Sequence, residues 1–371
     1  MRIVFSTDQI YLHGGIEKVM AIKANYMADI LGYEVFILTT EQKLNQHCYF
    51  LSNKIQLIDI GVNYVRNRSY FSFQNLKNIP IHFYRMLKKL YEIEPNVLII
   101  CNYSYDFYWV PFINPKIKKI KEFHSSRYLY EIKRNKTRSF KDLLFFKISD
   151  WFESKYDSLL VLSQTEKEFY KTKNVVVIPN PIDLPKFSAS LTSKKVIAVG
   201  RIAPVKGYDK LITAWQIVAN EFPDWELHIY GEDYNGTKSQ LQYLIQNAQL
   251  HNKILFKGTI DSIIEIMKDY SLCVMTSKTE CFPMVLLESL SVGLPIISFD
   301  CPTGPKNIIT PGIDGFLVSD QNVVELANKI IYLISNKVDL IKMGKNAKEN
   351  VKCFSSERIM QQWVKLLIEI Q

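Results

Sequence analysis

The 371-residue sequence has no Cys-x-x-Cys pair, no Asp-x-Asp triplet and no apolar run that approaches the length of a bilayer crossing. Each absence removes a class of protein. The six cysteines, Cys48, Cys101, Cys273, Cys281, Cys301 and Cys353, lie scattered, and a chain of this size buries a core without covalent staples. Reduced thiols in a cytosolic compartment are the expectation. The longest apolar runs, such as VLII at 97–100 and MVLL at 284–287, fall far short of the roughly 18–20 residues that cross a membrane. The N-terminus enters RIVFSTD directly, so neither a spanning helix nor a secretory leader is expected. The first strand leads into TDQIYLHGG instead of a compact G-x-G-x-x-G, which argues against a nicotinamide oxidoreductase.

What is present suits a two-domain α/β protein. Apolar residues make up 47% of the chain, enough for two cores of ordinary size. RIVFST at 2–7, a helical pattern at 15–32 and EVFILTT at 34–40 read as a strand, helix, strand unit. SLLVLS (158–163) and NVVVIPN (174–180) are further short strands. Prolines, serines and a loss of periodicity then mark 181–195 as a linker. A second series alternates KVIAVG, a helix near 207–221, WELHIYG, a helix near 237–249, KILFKG, a short helix near 262–269, SLCVMTS, a helix near 284–292 and PIISFD. Such alternation implies doubly wound, mostly parallel sheets, with domains at 1–182 and 183–353 and a ligand cleft expected between them.

The net charge of +9 is localised. Residues 61–160 hold 18 Lys and Arg against 9 Asp and Glu, whereas the rest of the chain is balanced at 28 of each. This stretch interleaves cations with aromatics, as in FYRMLKKLYEIEP (83–95) and KIKKIKEFHSSRYLYEIKRNKTR (116–138). An anionic membrane surface and an ordinary solvated face both fit; no recognised nucleic-acid motif accompanies the charge, and nucleic acid is not expected as a partner.

Two loops carry the candidate chemistry. GRIAPVKG at 200–207 places Arg201 and Lys206 after the strand KVIAV, where two cations suit a diphosphate. TSKTECFPMVLLESLSVGLPIISFD at 276–300 places Glu280 in a loop and Glu288 in the next helix, seven residues between them. Pro283 suits the first helical turn and Gly293 the helix stop. Residues Phe282, Pro283, Met284 and Val285 then form a helix N-terminus that attracts anions. Carboxylates beside it can accept paired hydrogen bonds from sugar hydroxyls.

The combination of GGIEKVM (14–20), FHSS around His124, VIPNPID (177–183), GRIAPVKGYDKLI (200–212), the Glu280-x7-Glu288 pattern and GLPIISFD…GPKNII…DGFLV resembles the family 4 glycosyltransferases. That family is a retaining, nucleotide-sugar-dependent group with the GT-B architecture of two Rossmann-like domains. The resemblance implies that Arg201 and Lys206 bind the donor diphosphate and steady the departing nucleotide. It implies that Glu288 binds the ribose, that Glu280 contacts the transferred sugar, and that the backbone over 282–285 meets the sugar or the phosphates. Gly14 and Gly15 let backbone approach the diphosphate, His124 stands near the donor sugar, and 354–371 contains a final helix crossing back to the first domain. The family pattern often has glycine beside the phenylalanine, whereas this chain has Pro283, which has no N–H to donate.

The expected reaction moves a hexose or N-acetylhexosamine, most simply from a uridine-diphosphate sugar, onto a saccharide. CPTGPKN (301–307) resembles bacterial cell-surface polysaccharide enzymes, which favours a lipid-linked acceptor on the cytoplasmic face of the membrane. No metal is expected, since no Asp-x-Asp is present and Arg201 and Lys206 supply positive charge. Some readings stay open: Gly14–Gly15 as a plain turn, His124 as a satisfied buried histidine, and CPTGPKN either as a turn or as a loop turning Lys306 toward the substrates. A silent accessory subunit of the same fold and a nucleotide-sugar 2-epimerase are the competing functions.

Overall fold

Short runs of β-branched and aliphatic residues form the strands, and neighbouring strands pair in parallel. The computed structural model describes every residue except Tyr70, Phe71 and Tyr103. One unit comprises residues 1–181 with 359–371, the other 182–358. The first contains β1 (Arg2–Thr7), β2 (Glu34–Thr39), β3 (Gln56–Asp59), β4 (Val97–Ile100), β5 (Lys118–Glu122), β6 (Ser158–Val161) and β7 (Val175–Val177), in the order β3-β2-β1-β4-β5-β6-β7. The second contains β8 (Lys195–Val199), β9 (Glu226–Tyr230), β10 (Ile254–Gly258), β11 (Leu272–Met275), β12 (Ile296–Phe299) and β13 (Gly315–Val318), in the order β10-β9-β8-β11-β12-β13. Both are doubly wound Rossmann-like sheets. Strands β4, β11 and β12 are buried along their whole length, as parallel strands covered on both faces must be.

Each sheet reverses its winding once, between β1 and β4 in the first and between β8 and β11 in the second. Loops leaving the carboxyl ends of such strand pairs diverge and leave a crevice, which is where open parallel sheets take ligands. In the second unit the helix Met284–Ser291 follows β11. Pro283, expected in its first turn, lies one position earlier as the N-cap, with φ −69° and ψ 120°. The ring fixes φ while the extended ψ turns the chain into the helix. Gly293, at φ +74°, ends it.

The lysines of KIKKIK are not all on a surface. Lys119 and Lys121 are buried in β5, a strand flanked on both sides. Lys119 donates to the Asn114 carbonyl, and Lys121 to the carbonyls of Ile100, Asn102 and Glu122. Backbone oxygens satisfy the ammonium groups, so alternation of charge along this strand does not signal solvent. Among the described residues, no helix is long and apolar enough to cross a membrane.

Candidate active site

The loops after β8 and β11 meet at the reversal of the second sheet. Gly207 has φ +64°, and a Cβ there would stand 2.1 Å from the Thr276 carbonyl oxygen, so only glycine lets the two loops approach this closely. The Thr276 hydroxyl donates to the Lys206 carbonyl at 3.0 Å, and the Lys278 N–H to the Val205 carbonyl at 2.8 Å. The loops are thereby tied together. Lys206 Nζ comes to 2.6 Å from Glu280 Oε1.

Glu280 is braced from its other side. It forms a parallel bridge with Thr303, whose hydroxyl donates to the Glu280 carbonyl. At Gly304 a Cβ would fall 2.6 Å from the Glu280 Cβ. Thus CPTGPKN is a turn packed against Glu280 that leads into a short 3-10 helix, Pro305–Asn307, and Lys306 in that helix is exposed and lines a cavity of about 470 Å³ with Arg358 and Glu349. Arg201, on the β8 loop, is exposed with its guanidinium 5.0 Å from the Tyr234 ring centroid, and among the described residues it forms no ion pair. Glu288 is buried in the second turn of the helix Met284–Ser291. The side chains of Phe282, Pro283 and Met284 are buried and Val285 is half-buried. What this segment can offer a ligand is therefore backbone N–H, which the first turn of any helix leaves without an intrahelical partner.

In the first unit, Gly14 is the N-cap of the helix Gly15–Asp29, with extended backbone at φ −142° and ψ 162°. The Glu17 carboxylate folds over it: a Cβ on Gly14 would lie 2.2 Å from Glu17 Oε2. Gln9 Nε2 donates to Glu17 Oε1 at 2.6 Å. An anion approaching this N-terminus has to displace that carboxylate. The signal for it was legible, since Glu17 occupies the third helical position where acidic residues reach back to the cap.

His124 lies just beyond β5 with its side chain almost wholly covered. Its Nε2 sits 2.8 Å from Glu122 Oε2, and the other Glu122 oxygen is ion-paired to Lys23. Burial alone would push the Glu122 carboxyl up, but Lys23 and His124 together hold it at about 2. Burial pushes the His124 imidazole below its ordinary value against the pull of Glu122. Lys23 in turn lies 4.8 Å from the Trp363 ring centroid, a side chain from the last helix, Ser356–Glu369. His124 is both buried and bonded, and its other ring nitrogen has no hydrogen bond among the described residues.

A further polar group at the reversal of the first sheet was missed by sequence reasoning. Asp8 follows β1, Glu41 follows β2, and Asn102, Ser104 and Asp106 follow β4. Arg66 pairs with both Asp8 and Glu41, and the Asn102 amide donates to Asp8. Burial raises the Asp106 carboxyl to about 7, against the opposing charge of Lys121. Glu41 Oε2, Asn102 Oδ1, Ser104 Oγ and Asp106 Oδ1 are buried with no hydrogen-bond partner among the described residues. Only the position of these residues at strand ends could have pointed to them.

The chain's two Rossmann-like units have the fold of the GT-B glycosyltransferases. The family description Glycosyltransferase Family 4 matches residues 13–186, and Glycosyl transferases group 1 matches 181–350. The chain belongs to the family 4 glycosyltransferases. It is similar to an uncharacterized glycosyltransferase of Haemophilus influenzae, 29% identical over 217 residues, which are 57% of this chain and 61% of that protein. It is also similar to the poly(ribitol-phosphate) alpha-N-acetylglucosaminyltransferase of Staphylococcus aureus strain COL, 24% identical over 290 residues, 76% of this chain and 57% of that one. The chain spans about three fifths of the length of these two relatives. The structure of a variant of S. aureus TarM in complex with Fondaparinux, alpha-GlcNAc-glycerol and UDP has the same fold, with a TM-score of 0.79, 16% identity and 99% of each chain covered.

Proposed function

We propose that this chain transfers a hexose or N-acetylhexosamine from a uridine-diphosphate sugar to a saccharide, with retention, in the synthesis of a cell-surface glycan. The observation that carries the reading is the Lys206–Glu280 contact at the reversal of the second sheet. A cation and a carboxylate touch at the sheet reversal, where open parallel sheets take ligands. As the bond from the anomeric carbon to the phosphate oxygen breaks, the electron pair leaves with the nucleoside diphosphate while the sugar ring becomes cationic. Lys206, held by Glu280, and the N–H groups at Met284 and Val285 are in place before that charge develops, and preorganised charge of this kind lowers the barrier most; Arg201, exposed on the same loop, is assigned to close on the diphosphate. Glu288 is assigned the ribose hydroxyls, Glu280 the transferred sugar, and His124 a place near that sugar.

The donor is supported by the UDP bound in the TarM structure, and the glycan by the ribitol-phosphate relative. In the first unit, the orphaned oxygens of Glu41, Asn102, Ser104 and Asp106 suit the hydroxyl groups of a saccharide acceptor. We assign that acceptor a lipid anchor and the enzyme a place on the cytoplasmic face of the membrane. Charge on the departing diphosphate is assigned to side chains and not to a metal ion.

The test is donor consumption by the purified chain, with and without saccharide acceptors, in EDTA and after adding magnesium or manganese. Transfer that persists in EDTA supports the reading. Loss in EDTA that a divalent ion restores overturns the metal-free part. Donor binding without any turnover across acceptors and donors points to a silent subunit instead.

A further inference from the structure

The helix Phe140–Glu153 buries Phe146 and packs Phe152 on the core, but leaves its other apolar side chains outward. Phe140, Leu143, Leu144, Phe145, Ile148 and Trp151 are between 42% and 78% exposed. Positions 140, 144, 148 and 151 share one face of a helix. In a water-facing helix that stripe packs on the core and the charges point out. Here Glu153 is buried and Asp142 and Asp150 are half-buried. Asp142 pairs with Lys133 at 3.0 Å, Asp150 with Arg134 at 2.6 Å, and Glu153 with Arg127 at 2.7 Å. Every carboxylate of the helix is thus neutralised by a cation of the first unit, whereas Lys141 and Lys147 are exposed and, among the described residues, form no ion pair.

The C-terminal end of this helix adds a second feature. Trp151 stacks on the exposed Phe112, with ring centroids 5.5 Å apart. Beside it lies an open cavity of about 600 Å³, lined by Lys147, Lys171 and Lys173 together with Trp151, Thr172 and Asn174. Its one carboxylate, Asp150, is already held by Arg134. The cavity therefore presents three ammonium groups next to an indole: Lys147 and Lys173 form no ion pair among the described residues, and Lys171 lies 3.8 Å from Glu131 Oε2.

We propose that this face is an anionic-lipid docking surface, with the apolar stripe entering the acyl boundary of a bilayer and a lipid headgroup phosphate held among Lys147, Lys171 and Lys173. The proposal rests on the membrane reading given above and names the surface that executes it. Charge complementarity selects the occupant. An apolar stripe flanked by Lys141, Lys147 and Lys173, which form no ion pair among the described residues, with aromatic rings at its rim, matches the depth profile of an anionic interface. Of the lysines of KIKKIK, Lys119 and Lys121 do not serve it, because they are inside the sheet.

The test uses the full chain and vesicles of equal parts phosphatidylglycerol and phosphatidylcholine, against phosphatidylcholine alone, with no donor or acceptor present. The wild-type chain is expected to bind the anionic vesicles selectively, and less so as salt rises. The pair Lys147→Gln and Lys173→Gln should weaken binding roughly fivefold per lysine. The pair Leu144→Ser and Ile148→Ser should weaken it to both vesicles, and Trp151→Phe should remove most quenching of tryptophan fluorescence by brominated acyl chains. All these side chains are exposed, so unchanged circular dichroism and thermal midpoints are expected. Indifference of the wild type to anionic vesicles at low salt overturns the proposal, as does unaltered binding in both pairs. Self-association or RNA binding abolished by the same pairs, without vesicle binding, assigns the face to another partner and also overturns it. A chain that docks but transfers no sugar leaves this surface standing and removes the catalytic reading alone.

Discussion

Lys206 and Glu280, 74 positions apart in sequence, meet at 2.6 Å with side chains 22% and 13% exposed. Two loops on either side of the sheet reversal thus arrive at one point, and each charge orients the other. A partly exposed pair adds little to stability, so its value lies in placing an ammonium and a carboxylate for a ligand. Lys206→Ala should reduce transfer by one to two decades, since a charge-assisted contact is worth roughly 1.5–3 kcal/mol. The thermal midpoint should barely move. Near-normal kcat/KM for the donor in a folded variant removes Lys206 from the diphosphate site.

Glu288 is buried inside its helix, so an isosteric change is the cleaner probe. Glu288→Gln should weaken UDP binding about tenfold or more if it holds the ribose hydroxyls as a charged acceptor. Titration calorimetry with UDP reads this without any acceptor. Unchanged affinity would assign Glu288 a structural role.

Two glycines set the approach of the loops. Gly207→Ala brings a Cβ to 2.1 Å from a backbone oxygen at φ +64°, where no side chain can yield. It should lower stability by more than about 1 kcal/mol. Gly304→Ala meets the Cβ of Glu280 at 2.6 Å and should cost transfer more than stability, because it displaces a site residue. Denaturant unfolding and donor kinetics on both variants separate the two effects; equal losses in both measurements count against this division.

Asp106 gives a signed pH dependence. Its carboxyl stands at about 7 in the folded chain against an ordinary 3.8, so the folded state holds this proton more tightly than the unfolded one. The group destabilises the fold above pH 7, and the penalty shrinks as pH falls toward 4. Asp106→Asn should therefore be more stable than wild type at pH 8, with an advantage that narrows by up to about 1.4 kcal/mol per pH unit below 7. Chemical unfolding at pH 5 to 8 measures it, and a constant difference across that range contradicts a buried titrating acid.

The second unit was the more legible of the two in sequence. Pro283 and Gly293 bracket the helix that carries Glu288, and Val196–Val199 announces the strand before Arg201; these are local signals. The first unit was harder to read. Glu122 finds its cation in Lys23, 99 positions away, and no spacing rule links them. Lys119 and Lys121 alternate with apolar residues as a surface strand does, yet carbonyl oxygens satisfy them inside the sheet. The helix Phe140–Glu153 carries apolar residues on both faces, so its sequence pattern cannot say which face looks inward. That was decided by Arg127, Arg134 and Lys133 on the preceding segment.

Trp363 covers the ammonium of Lys23, and residues 359–371 belong to the first unit although the whole second unit precedes them in the chain. A ribosome synthesises protein in one direction, so the residue that shields the buried Lys23–Glu122 pair emerges after all of residues 182–358. The first unit is the first to begin folding and the last to be completed. Until the final helix arrives, Lys23 stays open to water on that side, and the nascent first unit must wait for its own C-terminal piece.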